Sequence, residues 1–482
     1  MQWDEFSDWG AKISQWAADY HTNLRDRPVR AQSAPGEVAA LIAPAPPEGP
    51  QDMGEIMEDF ERVVMPGITH WQHPRFFAYF PANAAPPSML AEMLVSTIAA
   101  QCMLWQTSPA ATEMETVMLD WLRQAIGLPK HFSGVIQDSA SSATLAAVLT
   151  MRERALNWEG NKSGLSGAAR LRIYCSSEVH TSVDRAIWVA GIGQDNLVRI
   201  PISGGLRGLR PEVLRKSIMY DITMGYRPAG IIACTGGTGT GACDDIAEVV
   251  KIAKEFDLYT HIDAAWAGAA MICPEFRTLW AGAEGVDSIV FNPHKWLGAQ
   301  FDCSAHFLAD PLSLVKTLAI KPEYLKTHGH NGLINYSEWS VPLGRRFRAL
   351  KLWFLLRSYG LEALRTRLRN HVAWAEELAE KLRGNGRFKI VTEPTLSLFT
   401  FRVVGIDDQE QIDFVNRVND DGRMYITQTE VDGAIAIRFQ IGQFDVTKAD
   451  IDFAFNVMCR LRVDLTKYKK SRNCVISVAF RF

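Results

Sequence analysis

The segment SIVFNPHKWLG ends an apolar run in a polar turn that carries Asn292, His294 and Lys295, with the bulky Trp296 behind them. A lysine placed there is partly desolvated, which lowers its pKa and makes its amine a usable nucleophile toward a carbonyl. Lys295 is therefore a Schiff-base candidate, although an isolated lysine at a strand end more often lays its stem on the surface and keeps its charge in water. Asp263 closes YTHID and is followed by the small Ala264 and Ala265. A carboxylate at the carboxyl edge of a parallel strand sits where α/β sheets bind ligands and can hold a protonated ring nitrogen, though the same letter also serves as a helix cap. His180, in SSEVHTSVDRA, suits stacking on a flat ring, or is an ordinary satisfied polar histidine. In DSASSATLAA (138–147), Ser139, Ser141 and Ser142 precede an apolar helix, a pattern that fits a phosphate-binding N-terminus or plain capping. Each signal is weak by itself. Together they supply a phosphate-binding turn, a stacking ring, a carboxylate and an amine, the set that pyridoxal 5'-phosphate requires.

Such a set works only if a sheet gathers it. From about 86 to 310, short apolar runs alternate with helical stretches: GVIQ (134–137), RIYCS (172–176), GIIACT (230–235), YTHID (259–263) and SIVFN (288–292). Continuous apolar strands separated by helices predict a large α/β domain with parallel strands covered on both faces. Ahead of it, Trp3, Phe6, Trp9, Ile13 and Trp16 recur at three- and four-residue steps and predict an amphipathic helix within residues 1–30, followed by an extended Pro/Ala-rich connector, APGEVAALIAPAPPEGP. Residues 321–339 show no apolar period and read as a loop able to move. A long helix starts near Arg345, and strands such as LSLFTFRVV (396–404) and AIAIRFQIG (434–442) predict a smaller α+β domain. The expected division is 1–85, an N-terminal helical arm; 86–352, the large domain; and 353–482, the small domain. The end, KYKKSRNCVISVAFRF, joins a basic cluster to a β-prone stretch to which no role is assigned.

Across 482 residues, hydrophobic residues are 47% and charged residues 22%, ordinary globular usage that excludes collagen-like, disordered and coiled-coil chains. A net charge of −3 gives no field to attract nucleic acid or anionic membranes, so neither is an expected partner. The eight cysteines are scattered without metal-site spacing, so no metal is expected, and buried thiols of a reducing compartment are. MQWDEFSDWG places Asp4 and Glu5 where a secretory leader carries basic residues, which predicts a cytoplasmic protein. Met89 to Trp105 is interrupted by Glu92, Ser96 and Gln101, so it is expected to be a buried helix rather than a membrane span.

The chain resembles the pyridoxal-phosphate-dependent group II decarboxylases, and within them the aromatic-L-amino-acid decarboxylases. The resemblance runs from about 5 to about 460, through MPGITHWQHPRFFAYFP, SPAATEMETVMLDWL, GVIQDSASSATL, HIDAAWAG, FNPHKWLG, FDCSA and VPLGRRFRALKLWF. It implies the fold-type I transferase architecture, with a mostly parallel seven-stranded sheet in the large domain. It also implies a homodimer whose active sites draw on both chains. By motif, Lys295 would carry the cofactor, Asp263 would pair with its ring nitrogen, and His180 would stack on it. Ala140, Ser141, Asn292 and His294 would hold the phosphate, and Thr238 and Ala265 would line the ring. The substrate's aromatic side chain would meet Trp71, Tyr79, Phe80, Pro81 and Ala82, with His180, Gln101, Met103 and Gly344 also near it. Tyr324, in PEYLKTH, would protonate the carbanion, and closure of 321–339 would keep out water and oxygen. The resemblance thus implies decarboxylation of an aromatic L-amino acid to its amine.

Ala82 stands where catechol-selective relatives carry a threonine, and Gln101 and Met103 where more apolar or aromatic residues line the partner's pocket. Gly344 matches a position where glycine goes with indole substrates and serine with phenolic ones. Two rivals remain. Aromatic acetaldehyde synthases resemble this chain but differ at the proton-donor tyrosine or the stacking histidine, and both Tyr324 and His180 are present here. A nicotinamide-dependent dehydrogenase would use GTGTGA (237–242) as a dinucleotide turn and Asp263 as a ribose ligand, but Asp244 and Asp245 would repel a pyrophosphate and Lys295 would go unexplained.

Overall fold

A computed structural model describes residues 2–320 and 333–462. The chain divides into two compact units, one of residues 1–81, 376–391 and 400–482, the other of 82–375 and 392–399.

The second unit is built on seven strands: β1 (Ser133–Gln137), β2 (Leu171–Ser176), β3 (Leu197–Ile200), β6 (Arg227–Cys234), β7 (Tyr259–Asp263), β8 (Ser288–Phe291) and β9 (Ser304–Leu308), in the order β1-β9-β8-β7-β6-β2-β3. Between β3 and β6 lies a two-residue hairpin, β4 (Ile202–Ser203) and β5 (Gly208–Leu209). Each apolar run read from the sequence is a strand, and nearly all their residues are buried, as strands covered on both faces require. Strands β3, β2, β6, β7 and β8 are mutually parallel. β9 runs antiparallel to both β8 and β1. Reversed twice, β1 points the same way as β8, so β9 alone opposes the others. The carboxyl ends of β1, β2, β6, β7 and β8 therefore lie at one edge of the sheet, where α/β folds bind ligands.

Several expectations are corrected. The apolar stretch 89–105 is not a buried helix: the helix Pro86–Ile98 leaves Leu90, Met93, Leu94 and Ile98 about half exposed. The unit covers only the side carrying Ser88, Ala91 and Val95, and the apolar residues extend beyond it round the helix. The loop expected over 321–339 is only partly described; within it, Tyr336–Trp339 is a short helical turn whose two aromatic rings are buried. Tyr324 lies outside the described residues. The Pro/Ala-rich connector contains a helical turn, Glu37–Leu41. The N-terminal helix spans Trp3–Thr22, with Trp3 and Phe6 exposed and Trp16 edge-on to Phe60. The long helix begins at Ala349 and runs to Gly384 with a break at Gly360, where φ is +66°.

A second sheet carries β10 (Phe388–Thr395), β11 (Leu398–Val403), β12 (Thr427–Val431) and β13 (Ala434–Gln440), in the order β10-β11-β13-β12.

One buried ion pair braces the second unit. Arg345 Nη2 lies 2.5 Å from Glu115 Oε1, both side chains almost wholly buried, and Glu115 Oε1 also accepts the Ile136 N–H of β1 at 2.8 Å. Arg345 donates further to the Tyr336 and Ile136 carbonyls. Removing one partner strands the other charge without water. Glu115→Ala is expected to cost about 3 to 5 kcal/mol in urea unfolding, and a loss below about 1 kcal/mol would contradict this account.

Candidate active site

The carboxyl edge encloses a cavity of about 200 Å³, lined wholly by residues of the second unit. All nine residues expected to hold the cofactor line it: Ala140 and Ser141 after β1, His180 after β2, Thr238 after β6, Asp263 and Ala265 at the end of β7, and Asn292, His294 and Lys295 after β8.

Lys295 is placed by its neighbours in sequence. His294 and Trp296 are buried on either side of it, and the Trp296 Nε1–H donates to His371 Nδ1 at 2.9 Å. The Lys295 N–H donates to the Asn292 carbonyl at 2.9 Å, and its own carbonyl accepts from Asn83 Nδ2 at 2.7 Å. At Lys295 the backbone leaves helical geometry (φ −95°, ψ −106°). Asn83 carries no signal in PANAAPP and is missed by sequence reasoning; the two residues it joins are 212 positions apart.

Asp263 has its carboxylate fixed by the Ala265 N–H at 3.1 Å. Opposite it, the Gly-rich turn after β6 packs closely on the segment after β7. The Trp266 Nε1–H donates to the Gly236 carbonyl at 2.6 Å, and a Cβ on Gly236 would lie 2.5 Å from the Ala267 Cβ. Gly236 also has φ +86°, so glycine is required there for two reasons.

The far end is a hydrogen-bond-donor pocket. Ser139 caps the helix Ala140–Ala155, accepting the Ser142 N–H at 3.2 Å and donating to Asp138 Oδ1 at 2.9 Å, so its hydroxyl is spent locally. The N–H groups of Ala140 and Ser141 and the Ser141 hydroxyl remain for an anion. His294 Nδ1 accepts the Cys303 N–H at 2.9 Å, which puts the hydrogen of the neutral ring on Nε2. Burial, reinforced by Lys295, holds His294 down to about 3, so it donates without a charge of its own. Asn292 Oδ1 accepts from Ser304 at 2.5 Å, which orients its amide. Burial also lowers His180, with Asp263 pulling the other way. Donors at one end, a carboxylate at the other and an amine on the wall fit a phosphorylated pyridine aldehyde.

The dinucleotide alternative fails here. Asp244 is buried and accepts the Cys234 and Leu209 N–H groups, while Asp245 caps the helix Ile246–Glu255 through the Glu248 N–H. That helix N-terminus already holds two carboxylates, and Asp263 faces the same cavity as Lys295.

Of the expected substrate residues, His180 lines this cavity. Trp71, Tyr79, Phe80 and Pro81 belong to the first unit, where Trp71 stacks on Phe76 and Tyr79 and Phe80 is buried against Gly442. Pro81 is buried, and Ala82 opens the second unit beside Asn83. Gln101 and Gly344 meet each other: Gln101 Oε1 accepts the Arg345 N–H at 2.7 Å, and a Cβ on Gly344 would lie 3.3 Å from Gln101 Nε2. The Met103 carbonyl accepts the Ser337 N–H. Gly344 lines a smaller cavity of about 110 Å³ with Asp138, Ser340 and Arg348.

The chain matches the family described as the pyridoxal-dependent decarboxylase conserved domain over residues 35–404. It is 37% identical to an aromatic-L-amino-acid decarboxylase of Cavia porcellus, over 98% of this chain and 100% of that one. It is 36% identical to a phenylacetaldehyde synthase of Arabidopsis thaliana, over 92% of each. Its backbone is similar to that of Oryza sativa TDC crystallised with PLP and tryptamine, with a TM-score of 0.93 and 30% identity over 96% of this chain and 99% of that one.

Proposed function

The chain belongs to the pyridoxal-dependent decarboxylase family, and from that premise we propose that it removes the α-carboxylate of an aromatic L-amino acid as CO2 and releases the arylalkylamine. Pyridoxal 5'-phosphate is its cofactor. The observation that carries the reading is the meeting of Lys295, Asp263, His180 and the first turn of the helix Ala140–Ala155 around one cavity.

When bound, the cofactor supplies a conjugated ring that accepts the electrons of a breaking bond at the substrate's Cα. Ser141, the amides of the first turn at Ala140, Asn292 and the Nε2–H of His294 would hold the phosphate, and Lys295 would anchor the aldehyde carbon until substrate displaces it. Asp263, fixed by the Ala265 N–H, would keep a proton on the ring nitrogen, so that charge arriving in the ring is stabilised by a group already in place. Thr238 and Ala265 would flank the ring, and His180 would stack on it. Tyr324 would deliver a proton to Cα, a role that rests on its place in PEYLKTH.

A second reading is favoured by the Arabidopsis relative: after CO2 is lost, O2 instead of a proton meets Cα and takes two electrons to leave as hydrogen peroxide, and water then releases the nitrogen as ammonia, giving aldehyde. The presence of both Tyr324 and His180 supports the amine. The test is product analysis of the holoenzyme with a panel of aromatic L-amino acids. Amine matched by CO2 is expected from the wild type, and a shift from amine to aldehyde from Tyr324→Phe. Aldehyde from the wild type would establish the second reading.

A homodimer is part of the proposal. The half-exposed Leu90, Met93, Leu94 and Ile98 form an apolar helix face that a second copy would cover, and sedimentation should give twice the chain mass. Gln101, Met103 and Gly344 would then serve the partner's pocket. Trp71, Tyr79, Phe80, Pro81 and Ala82 would meet the substrate's ring. A reducing cytoplasm suits the seven described cysteines, all free thiols. No described helix is long and apolar enough to cross a membrane.

A further inference from the structure

One serine that the sequence does not single out engages His180 twice. The Ser182 backbone N–H donates to His180 Nδ1 at 3.1 Å, and Ser182 Oγ lies 2.9 Å from the same nitrogen. An amide N–H only donates, so Nδ1 must present its lone pair, and the neutral ring then carries its hydrogen on Nε2. The Ser182 hydroxyl joins the N–H as a second donor to Nδ1.

The arrangement costs the helix Ser182–Val189 nothing. Ser182 is its first residue, where a backbone N–H has no acceptor within the helix. Nor is the hydroxyl there as a cap: the capping position belongs to Thr181, and Ser182 is buried with the imidazole against it. A hydrogen on Nδ1 would face the amide hydrogen of Ser182, so the imidazolium is opposed along with the other tautomer. The charged groups around His180 divide. Asp263 at the end of β7 and Asp184 favour the cation, whereas Lys295 after β8 and Arg185 oppose it, and burial is the largest influence against it.

We propose that Ser182 is a positioning residue of the decarboxylation site, holding His180 as the neutral Nε2–H tautomer so that the ring meets the cavity as a hydrogen-bond donor. Any proton passing through this imidazole enters and leaves at Nε2. The inference rests on reading the cavity as the active site.

The test uses cofactor-loaded wild type, Ser182→Ala and Ser182→Thr. Imidazole 15N shifts of labelled protein, with the His180 signal assigned by its loss in His180→Gln, should show Nδ1 unprotonated in the wild type at neutral pH. Ser182→Ala keeps the amide but removes one donor that favours the neutral ring. The acid limb of kcat/KM should therefore move up by about 0.4 to 1 pH unit, and kcat should fall about 2- to 10-fold with KM little changed. Ser182→Thr should restore both. A hydrogen on Nδ1 in the wild type, or an unmoved acid limb in a folded Ser182→Ala protein, would overturn the proposal. Absence of amine from the wild type would instead overturn the functional reading, while the 15N shifts would still decide the tautomer.

Discussion

Lys295→Ala is expected to lower amine formation by about 10⁴-fold or more, the scale seen when a group that acts covalently is deleted. The fold should survive the change. The two backbone bonds that place residue 295, its N–H to Asn292 and its carbonyl from Asn83, do not use the side chain, and the flanking His294 and Trp296 keep their own anchors. The phosphate end of the cavity is likewise untouched, so the variant should still bind pyridoxal 5'-phosphate, reversibly. Borohydride treatment followed by peptide mass analysis separates the cases: it should fix the cofactor to Lys295 in the wild type and to nothing in the variant. Turnover within tenfold of wild type, or a label on another lysine, would contradict the assignment.

The second large effect is acid unfolding driven by the buried histidines outside the cavity, chiefly His73, His261, His306 and His371, with His70, which burial also lowers, adding to them. Burial holds His73, His306 and His371 at about 3 and His261 well below its usual value. In the folded protein they stay neutral, whereas in the unfolded chain each takes up a proton below about 6.5. Their stabilisation is thus complete above about pH 6.5 and is lost as pH falls, at about 1.4 kcal/mol per pH unit for each fully titrating ring. By pH 5 the four together withdraw about 8 kcal/mol, comparable with the whole stability of a typical domain. Asp244 opposes them. Burial raises it to about 6, so it keeps a proton that the unfolded carboxyl has lost, and between about 6 and 4 it gains stability as pH falls. Burial raises Asp287 as well, in the same sense, but these two carboxyls do not offset the imidazoles. The urea midpoint should hold from pH 7.5 to 6.5 and collapse toward pH 5. His306 offers the control, since neither of its ring nitrogens meets a hydrogen-bonding partner among the described residues, and His306→Leu should make the slope shallower by about one proton. Equal midpoints at pH 7.5 and 5 would refute the account.

How far the sequence reaches depends on the distance over which each feature is decided. The strands β2, β6, β7 and β8 are legible because a strand buried on both faces must be a continuous apolar run. Lys295, Asp263, His180 and the serine turn are legible because the ends of like-directed strands share an edge, so chain order is enough to bring them together. The resemblance extends that reading to Thr238, Ala265 and Asn292, and the cavity contains all of them.

What the sequence cannot carry is anything settled by partners far away in the chain. β9 goes unread, yet its reversal is what makes β1 point with β8 and brings Ser141 and His294 to the same edge, where both line the cavity. The 89–105 stretch is apolar enough to be read as buried, but only packing decides which of its residues are covered, and Leu90 and Met93 are not. Asn83 under Lys295 is an ordinary polar letter until folding brings it to an acceptor 212 positions away, and Ser182, only two residues from His180, becomes its partner only when the turn before the helix Ser182–Val189 forms. The sequence by itself determined the sheet and the chemistry, because local periodicity and residue type fix them. Only the tertiary structure decided the direction of β9, the exposed helix face and the tautomers of His180 and His294, because these depend on hydrogen bonds and contacts that do not exist until the chain has folded.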